Sequence, residues 1–324
     1  MHNLMRVLKS IFPCGTKIHS GTSFRSKNNT RTKWESLGLG VNSLLIFKCS
    51  YDKTSIFQCS YALEVFYSTR VVIKHREMDP SLLLTTAGYL LVLMSGYFDL
   101  DYKYTLDRHR APASVIRVVD HLEGVRILQQ DAFETLVSFI CSANNNIKRI
   151  TRLCFAIRER YGTFLGSKSY SDSELRFYAF PNLRQLSAAS AVDLRQLGLG
   201  YRAEYLVKTV SALRSRGLDS LLQLRDAPYE TAQEELLKYN GIGRKVADCV
   251  MLFGLGKRDV VPVDVHVKRI AMNHFGIRAS SKNSYDLVQG AFSAVCPKDA
   301  GWLQAVLYID SVLRAARQVT KLVS

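Results

Sequence analysis

The sequence predicts an α+β fold, mainly α. An N-terminal antiparallel β-sheet domain is expected over residues 14–123, and a helical domain over 124–319. Three observations predict it. Residues 41 to 75 are rich in Phe, Tyr, Val and Ile and break at serines, as short strands do. From about residue 110 the apolar positions recur with the period of helices. Residues 230–255 read as two helices joined by a tight turn at Gly241-Ile242-Gly243.

The elements follow in order. The first 34 residues carry seven Lys/Arg and no Asp or Glu, with apolar residues at Leu4, Met5, Val7, Leu8, Ile11 and Phe12. Such a segment resembles a mitochondrial transit peptide; an untargeted basic terminus is the other reading. Ser43–Phe47 is a short apolar strand, and residues 55–73 alternate partially, so a small antiparallel sheet with its own core is expected. Pro80 to Phe98 is 19 residues without a formal charge. That length just reaches a bilayer span, but Thr85, Thr86, Gly88, Ser95 and Gly96 dilute it. A buried helix or a local insertion is predicted instead.

Phe133, Leu136, Val137, Ile140 and Cys141 mark one apolar helical face. Gly162 to Ser173 reads as a polar loop. Leu183 to Gly217 reads as helices broken at Gly198-Leu199-Gly200. Glu230 to Lys238 and Arg244 to Leu255 are the two helices of the hairpin. Trp302 to Val319 is a last helix, with Arg314, Arg317 and then Lys321 towards its C-terminal end, as the helix dipole favours.

Composition bounds the function. A chain of 324 residues can bury a sizeable core. Hydrophobic residues at 47% and charged residues at 22% exclude disorder along the whole length. The seven cysteines are scattered with no C-x-x-C pair, which excludes a disulfide-stapled mini-protein and argues against a cysteine-spaced zinc or iron–sulfur site. Scattered thiols fit a reducing compartment. The net charge of +16 points to a polyanion, nucleic acid before an anionic membrane.

The strongest local signal is Leu236 to Asp248, LLKYNGIGRKVAD. Two glycines two apart turn the chain sharply and present consecutive backbone N–H groups at the start of a helix. The dipole adds positive potential there, and together they make a phosphate seat. A helix, this turn and a second helix form a helix–hairpin–helix, a sequence-independent grip on a DNA backbone. Lys245 follows Gly243 by two residues and leads into an apolar helix. Apolar surroundings disfavour an ammonium, and a neutral amine can form a Schiff base. A cation that merely touches phosphate is the alternative. Asp264 lies nineteen residues after Lys245, in Val261-Pro262-Val263-Asp264-Val265-His266. It precedes a helical run, where it is either an N-cap or a carboxylate aimed into a cleft.

These motifs resemble the helix–hairpin–helix DNA glycosylase superfamily, with its Gly/Pro-rich loop and following aspartate, and within it the eukaryotic 8-oxoguanine DNA glycosylases. The likeness is carried by Ser138 to Ile150, by Leu197-Gly198-Leu199-Gly200-Tyr201-Arg202-Ala203, by the lysine and aspartate motifs, and by Ala300 to Leu307. Gly21-Thr22-Ser23-Phe24-Arg25 resembles the family's G-Q-S-F-R. The chain departs from the family at Asn240, where the hairpin usually has proline, and at Ser26, where it has tryptophan.

The resemblance implies a bifunctional DNA glycosylase and AP lyase that removes 8-oxoguanine opposite cytosine in base-excision repair. Lys245 would attack C1′ of a flipped nucleotide and Asp264 would support that step. For the lesion base, it implies the Gly21 carbonyl as acceptor from N7–H, Cys249 on one face, Tyr308 on the other and Gln304 at the Watson–Crick edge. For the DNA, it implies Asn144, Arg149 and Arg202 at the orphaned cytosine, Tyr201 as a wedge, and Gly241, Gly243 and His266 at phosphates. Damaged double-stranded DNA is the partner, bound in a cleft by a monomer without an iron–sulfur cluster, and a membrane is not expected. No redox cofactor is needed, and relatives suggest a structural monovalent cation at the hairpin. The nucleus is the expected compartment, with the mitochondrion as the alternative. Two rivals stay open: the same fold acting on a different damaged base, and a non-catalytic DNA-binding protein of this fold.

Overall fold

The computed structural model describes residues 95–170, 173–277 and 283–323, together with the backbone of three strand segments before them. The Gly21 assignment, the Gly21–Arg25 motif and most of the uncharged run from residue 80 lie outside the described residues. The fold is mainly helical. The chain divides into two compact units, Met1–Leu93 with Asn144–Ala203, and Met94–Ala143 with Glu204–Ser324.

In the first unit, β1 (Thr32–Leu37), β2 (Leu45–Ser50) and β3 (Tyr61–Val65) pair antiparallel in that order. Trp34 stands opposite Lys48, and Phe47 opposite Leu63. Helix α3 (Ile147–Tyr161) is amphipathic. Its Ile150, Leu153, Cys154 and Ile157 are buried, whereas Lys148, Arg149, Arg152 and Arg160 face solvent. Asn146 caps it by accepting the Arg149 amide at 3.0 Å.

The segment expected to be a polar loop contains a strand instead. Strands β4 (Phe164–Tyr170) and β5 (Ser173–Tyr178) form an antiparallel hairpin with an irregularity between Phe164 and Gly166. The Phe164 and Tyr178 rings lie 5.4 Å apart and Phe177 is buried, so aromatic cross-strand contacts supply what the serines do not. Gly166, at φ 135°, takes the backbone conformation that the irregularity needs. Short helices α4 (Leu183–Leu186) and α5 (Ala191–Gln196) follow, and a turn with Gly198 at φ 93° and Gly200 at φ 60° closes the unit.

The second unit contains α1 (Ala113–His121), α2 (Ala132–Ser142), most of α6 (Arg202–Arg216), α7 (Asp219–Leu222), α8 (Tyr229–Leu237), α9 (Arg244–Gly254), α10 (Val265–Phe275), α11 (Ser284–Val295) and α12 (Ala300–Val323). The one-face expectation for α2 is corrected: every residue from Ala132 to Cys141 is buried, including Glu134, Thr135 and Ser138. Helix α2 is a central helix, and α9 packs closely on it. A Cβ at Gly254 would meet Ala132 Cα and Thr135 Cβ at 3.1 Å, so glycine permits the approach. Val115, Val118, Leu252, Val267, Ile270, Phe292, Leu303 and Val306 belong to the core shared by α1 and α9–α12. Among the described residues no helix is long and apolar enough to cross a membrane.

Candidate active site and nucleic-acid interface

The hairpin of the second unit is built as its glycines demand. Helix α8 ends in a turn in which the Tyr239 amide bonds the Leu236 carbonyl and the Ile242 amide bonds the Tyr239 carbonyl. Gly241 sits at φ 80°, a left-handed conformation that costs other residues. A Cβ there would also strike the Tyr205 ring at 2.5 Å. Thr209 Oγ1 donates to the Asn240 carbonyl at 3.2 Å and ties the turn to α6. Gly243 is the N-cap of α9 and supplies no side-chain cap, so the first amides of α9 keep their capacity for an anion.

Lys245 lies in the first turn of α9, half-buried, with Nζ 5.6 Å from the centroid of the Phe139 ring. Phe139 in turn stacks on Phe253 at 5.8 Å. One helical turn further on, Cys249 is 3% exposed. Burial pushes its thiol up to about 12, while the charge of Lys245, one turn before it on α9, pulls the other way. The thiol is therefore neutral at physiological pH and offers a small apolar surface beside the lysine.

Asp264 is the N-cap of α10. Its Oδ1 accepts the amides of His266 and Val267, both at 2.9 Å. Both bonds fall on one oxygen, so Oδ2 stands outside the cap. Tyr308 shows that the aspartate and the lysine share one neighbourhood. Burial raises the Tyr308 hydroxyl above its ordinary range, Asp264 raises it further and Lys245 lowers it. The His266 and Tyr308 rings meet edge to face at 6.0 Å. Gln304, 7% exposed, lies one turn before Tyr308 on α12. The second unit thus brings Lys245, Cys249, Asp264, His266 and Tyr308 together.

A second set lies in the first unit. Asn144 takes a left-handed conformation at φ 47°, and its carbonyl accepts Nη2 of Arg202 at 2.9 Å. Nη1 of Arg202 reaches the Leu199 carbonyl at 3.3 Å. Arg202 is only 3% exposed, and its guanidinium lies 4.5 Å from the centroid of the Tyr201 ring. It is a buried brace rather than a solvated cation. Arg149 is exposed and reaches the Gly198 carbonyl at 3.1 Å. Tyr201 is 50% exposed and follows the turn at Gly198 and Gly200.

The model of the HhH-GPD superfamily, base excision DNA repair proteins, matches residues 137–298, half of the chain. This chain belongs to the HhH-GPD superfamily. It is 38% identical over 203 residues to the N-glycosylase/DNA lyase of Saccharomyces cerevisiae, covering 59% of this chain and 53% of that protein. It is 38% identical over 197 residues to the N-glycosylase/DNA lyase OGG1 of Arabidopsis thaliana, covering 58% and 52%. The matches thus span about half the length of these curated relatives. The Clostridium acetobutylicum 8-oxoguanine glycosylase/lyase, solved with double-stranded DNA containing cytosine opposite 8-oxoguanine, superposes with a TM-score of 0.61 at 26% identity, over 95% of this chain and 92% of that one. Among the described residues no group of three or more His, Cys, Asp and Glu is arranged to hold a metal ion.

Two features of this HhH-GPD protein escape a reading of the sequence alone. Gly301 lets α12 sit flush on the chain before Asp264: its amide bonds the Arg258 carbonyl at 2.8 Å, and a Cβ would come within 2.3 Å of the Val260 carbonyl oxygen. The other is Asp248, a fully buried carboxylate in the apolar run of α9. It accepts from Tyr229 at 3.1 Å, Gln233 at 3.2 Å, Tyr285 at 2.5 Å and Gln289 at 3.1 Å. The one sequence signal is a carboxylate inside the apolar run that follows Lys245.

Proposed function

We propose that the chain is a DNA glycosylase with AP lyase activity that excises 8-oxoguanine paired with cytosine. The observation that carries this is the placement of Lys245 one turn from Cys249 on α9, with Asp264 capping the helix whose His266 meets the Tyr308 ring. A base must leave the duplex stack before its C1′ can be attacked. In the proposed reaction, the Lys245 amine forms a bond from Nζ to C1′ as the bond from C1′ to the base breaks. The base leaves with the electron pair and is protonated. Nζ then loses one proton and the C1′–O4′ bond breaks with O4′ taking up a proton, which leaves a protonated Schiff base. C2′ loses a proton as the C3′–O bond breaks, and the 3′-phosphate leaves with the electron pair. Asp264 Oδ2, free of the helix cap, stabilises positive charge on the sugar.

The site roles follow. Cys249 and Tyr308 flank the flipped base, where a neutral thiol and an aromatic ring both suit stacking, and Gln304 reads its edge. Asn144 and Arg149 hold the orphaned cytosine, Arg202 serves the same contact by bracing the Asn144 and Leu199 carbonyls, and Tyr201 is the wedge. The amides at Gly241 and Gly243, with His266, seat phosphates. The N-terminal strands belong to a sheet domain, and the Gly21 carbonyl is the acceptor for N7–H of the lesion. No redox cofactor takes part.

The test is single-turnover excision from duplexes carrying 8-oxoguanine opposite each of the four bases. Fastest release opposite cytosine is expected. Equal rates opposite cytosine and adenine overturn the cytosine assignment, and faster release of an alkylated base overturns the lesion assignment.

A further inference from the structure

The polar cluster around Asp248 does more than fill the core. Its four donors fall into two classes. Tyr229 and Gln233 come from α8 and tie Asp248 to the first helix of the hairpin. Tyr285 and Gln289 come from α11, one turn apart, and each makes a second contact. The Tyr285 hydroxyl donates to Asp248 Oδ2 at 2.5 Å and accepts the Val263 amide at 3.2 Å. Gln289 Nε2 donates to Asp248 Oδ2 at 3.1 Å and to the Val261 carbonyl at 3.0 Å. Two bridges therefore run from Asp248 to the chain that delivers Asp264. Asp248 itself is three residues after Lys245 on α9, so the same carboxylate is fixed to the lysine's helix.

Arg244 closes the cluster from outside. Its guanidinium lies 4.0 Å from the centroid of the Tyr285 ring and bonds Asp286 at 2.5 Å and Gln289 at 3.0 Å. Each bridging side chain is thus held by a partner other than Asp248. A hydroxyl that donates to a carboxylate is a better acceptor for the next amide, so the chain Asp248–Tyr285–Val263 is cooperative.

We infer that Asp248, Tyr285 and Gln289 are positioning residues that set the distance between Lys245 and Asp264 through the Val261–Asp264 segment. The inference rests on the functional assignment of Lys245 and Asp264. It does not require any of the three to touch substrate. Its basis is that a displacement of the order of 1 Å in a catalytic group can cost about 10²-fold in rate.

The experiment compares Tyr285→Phe with Tyr229→Phe. Both remove one hydroxyl from Asp248, but only Tyr285 bridges to Val263. Single-turnover excision of 8-oxoguanine opposite cytosine is expected to fall at least 10-fold in Tyr285→Phe and less than threefold in Tyr229→Phe, with Kd for a tetrahydrofuran-containing duplex unchanged in both. Gln289→Leu provides an independent second bridge and is expected to resemble Tyr285→Phe, which keeps the test open if either variant folds poorly. Equal losses in Tyr285→Phe and Tyr229→Phe, or a parental rate in Tyr285→Phe, overturn the inference. Amide hydrogen exchange over residues 261–267 separates this from the activity itself. Faster exchange there in Tyr285→Phe than in Tyr229→Phe supports the bridge even if the parent releases no 8-oxoguanine, and equal exchange refutes it.

Discussion

Asp264 Oδ1 accepts the Val267 amide at 2.9 Å, so the proposed catalytic carboxylate is also the N-cap of α10. The two duties can be separated. Asparagine caps a helix about as well as aspartate does, while alanine costs about 1 kcal/mol. Asp264→Asn is therefore expected to keep unfolding stability within about 0.5 kcal/mol of the parent. Its excision rate should fall by about 10²-fold or more, as when an electrostatic stabiliser of a transition state is removed. Asp264→Ala should lose both. Denaturant unfolding and single-turnover kinetics on the two variants check this, and full activity in Asp264→Asn contradicts the role of Oδ2.

The hairpin glycines differ in what constrains them. At Gly241 the φ of 80° and the Tyr205 ring both oppose a side chain. Gly241→Ala is expected to lose about 1–2 kcal/mol from the left-handed backbone alone, and more from the displaced ring. At Gly243 φ is −95° and a Cβ would meet nothing within 4 Å. Gly243→Ala should lose no more than about 1 kcal/mol, the cost of alanine in place of glycine at an N-cap, yet bind duplex DNA more weakly, because its methyl group occupies the approach to the α9 amides. Thermal melting and fluorescence anisotropy decide it. Parental affinity in Gly243→Ala places the phosphate elsewhere.

Asp248 makes stability depend on pH in a stated direction. Burial lifts its carboxyl above the ordinary carboxylate range, and hydrogen bonds from Tyr285, Gln233 and Tyr229, with the charge of Arg244, only partly offset this. Between the unfolded and the raised folded value, the native state holds a proton that the unfolded chain has lost. The stability contributed by this group therefore falls as pH rises through that window. The Asp248→Asn variant has no such proton, though its new amide faces donors and costs about 1–3 kcal/mol. The stability gap between parent and Asp248→Asn should be widest at the acid end and narrow as pH rises above the ordinary carboxylate value of about 4. Urea unfolding across that range measures it, and a gap that widens with pH contradicts the raised carboxyl.

The parts legible in the sequence are those whose partners are local. The Gly241-Ile242-Gly243 turn needs only its own backbone, and Cys249 follows Lys245 by one turn on a single helix. Asp264 shows both of its roles in the sequence, because a cap and a cleft carboxylate occupy the same helix start. What depends on distant partners is not legible there. Asp248 draws its donors from positions 229, 233, 285 and 289. Residues 164–178 carry too many serines to announce a hairpin before Phe164 is set beside Tyr178. Helix α2 shows one apolar face in the sequence, but its Glu134, Thr135 and Ser138 are also enclosed once α9 and α7 pack on it.

The proposal as a whole turns on Lys245 as the nucleophile. Borohydride reduction during reaction with an 8-oxoguanine:cytosine duplex fixes a Schiff base as a stable protein–DNA adduct. The parent is expected to yield that adduct, mapped to Lys245 by mass spectrometry, and Lys245→Gln to yield none. No adduct from the parent, or an undiminished adduct from Lys245→Gln, would contradict it.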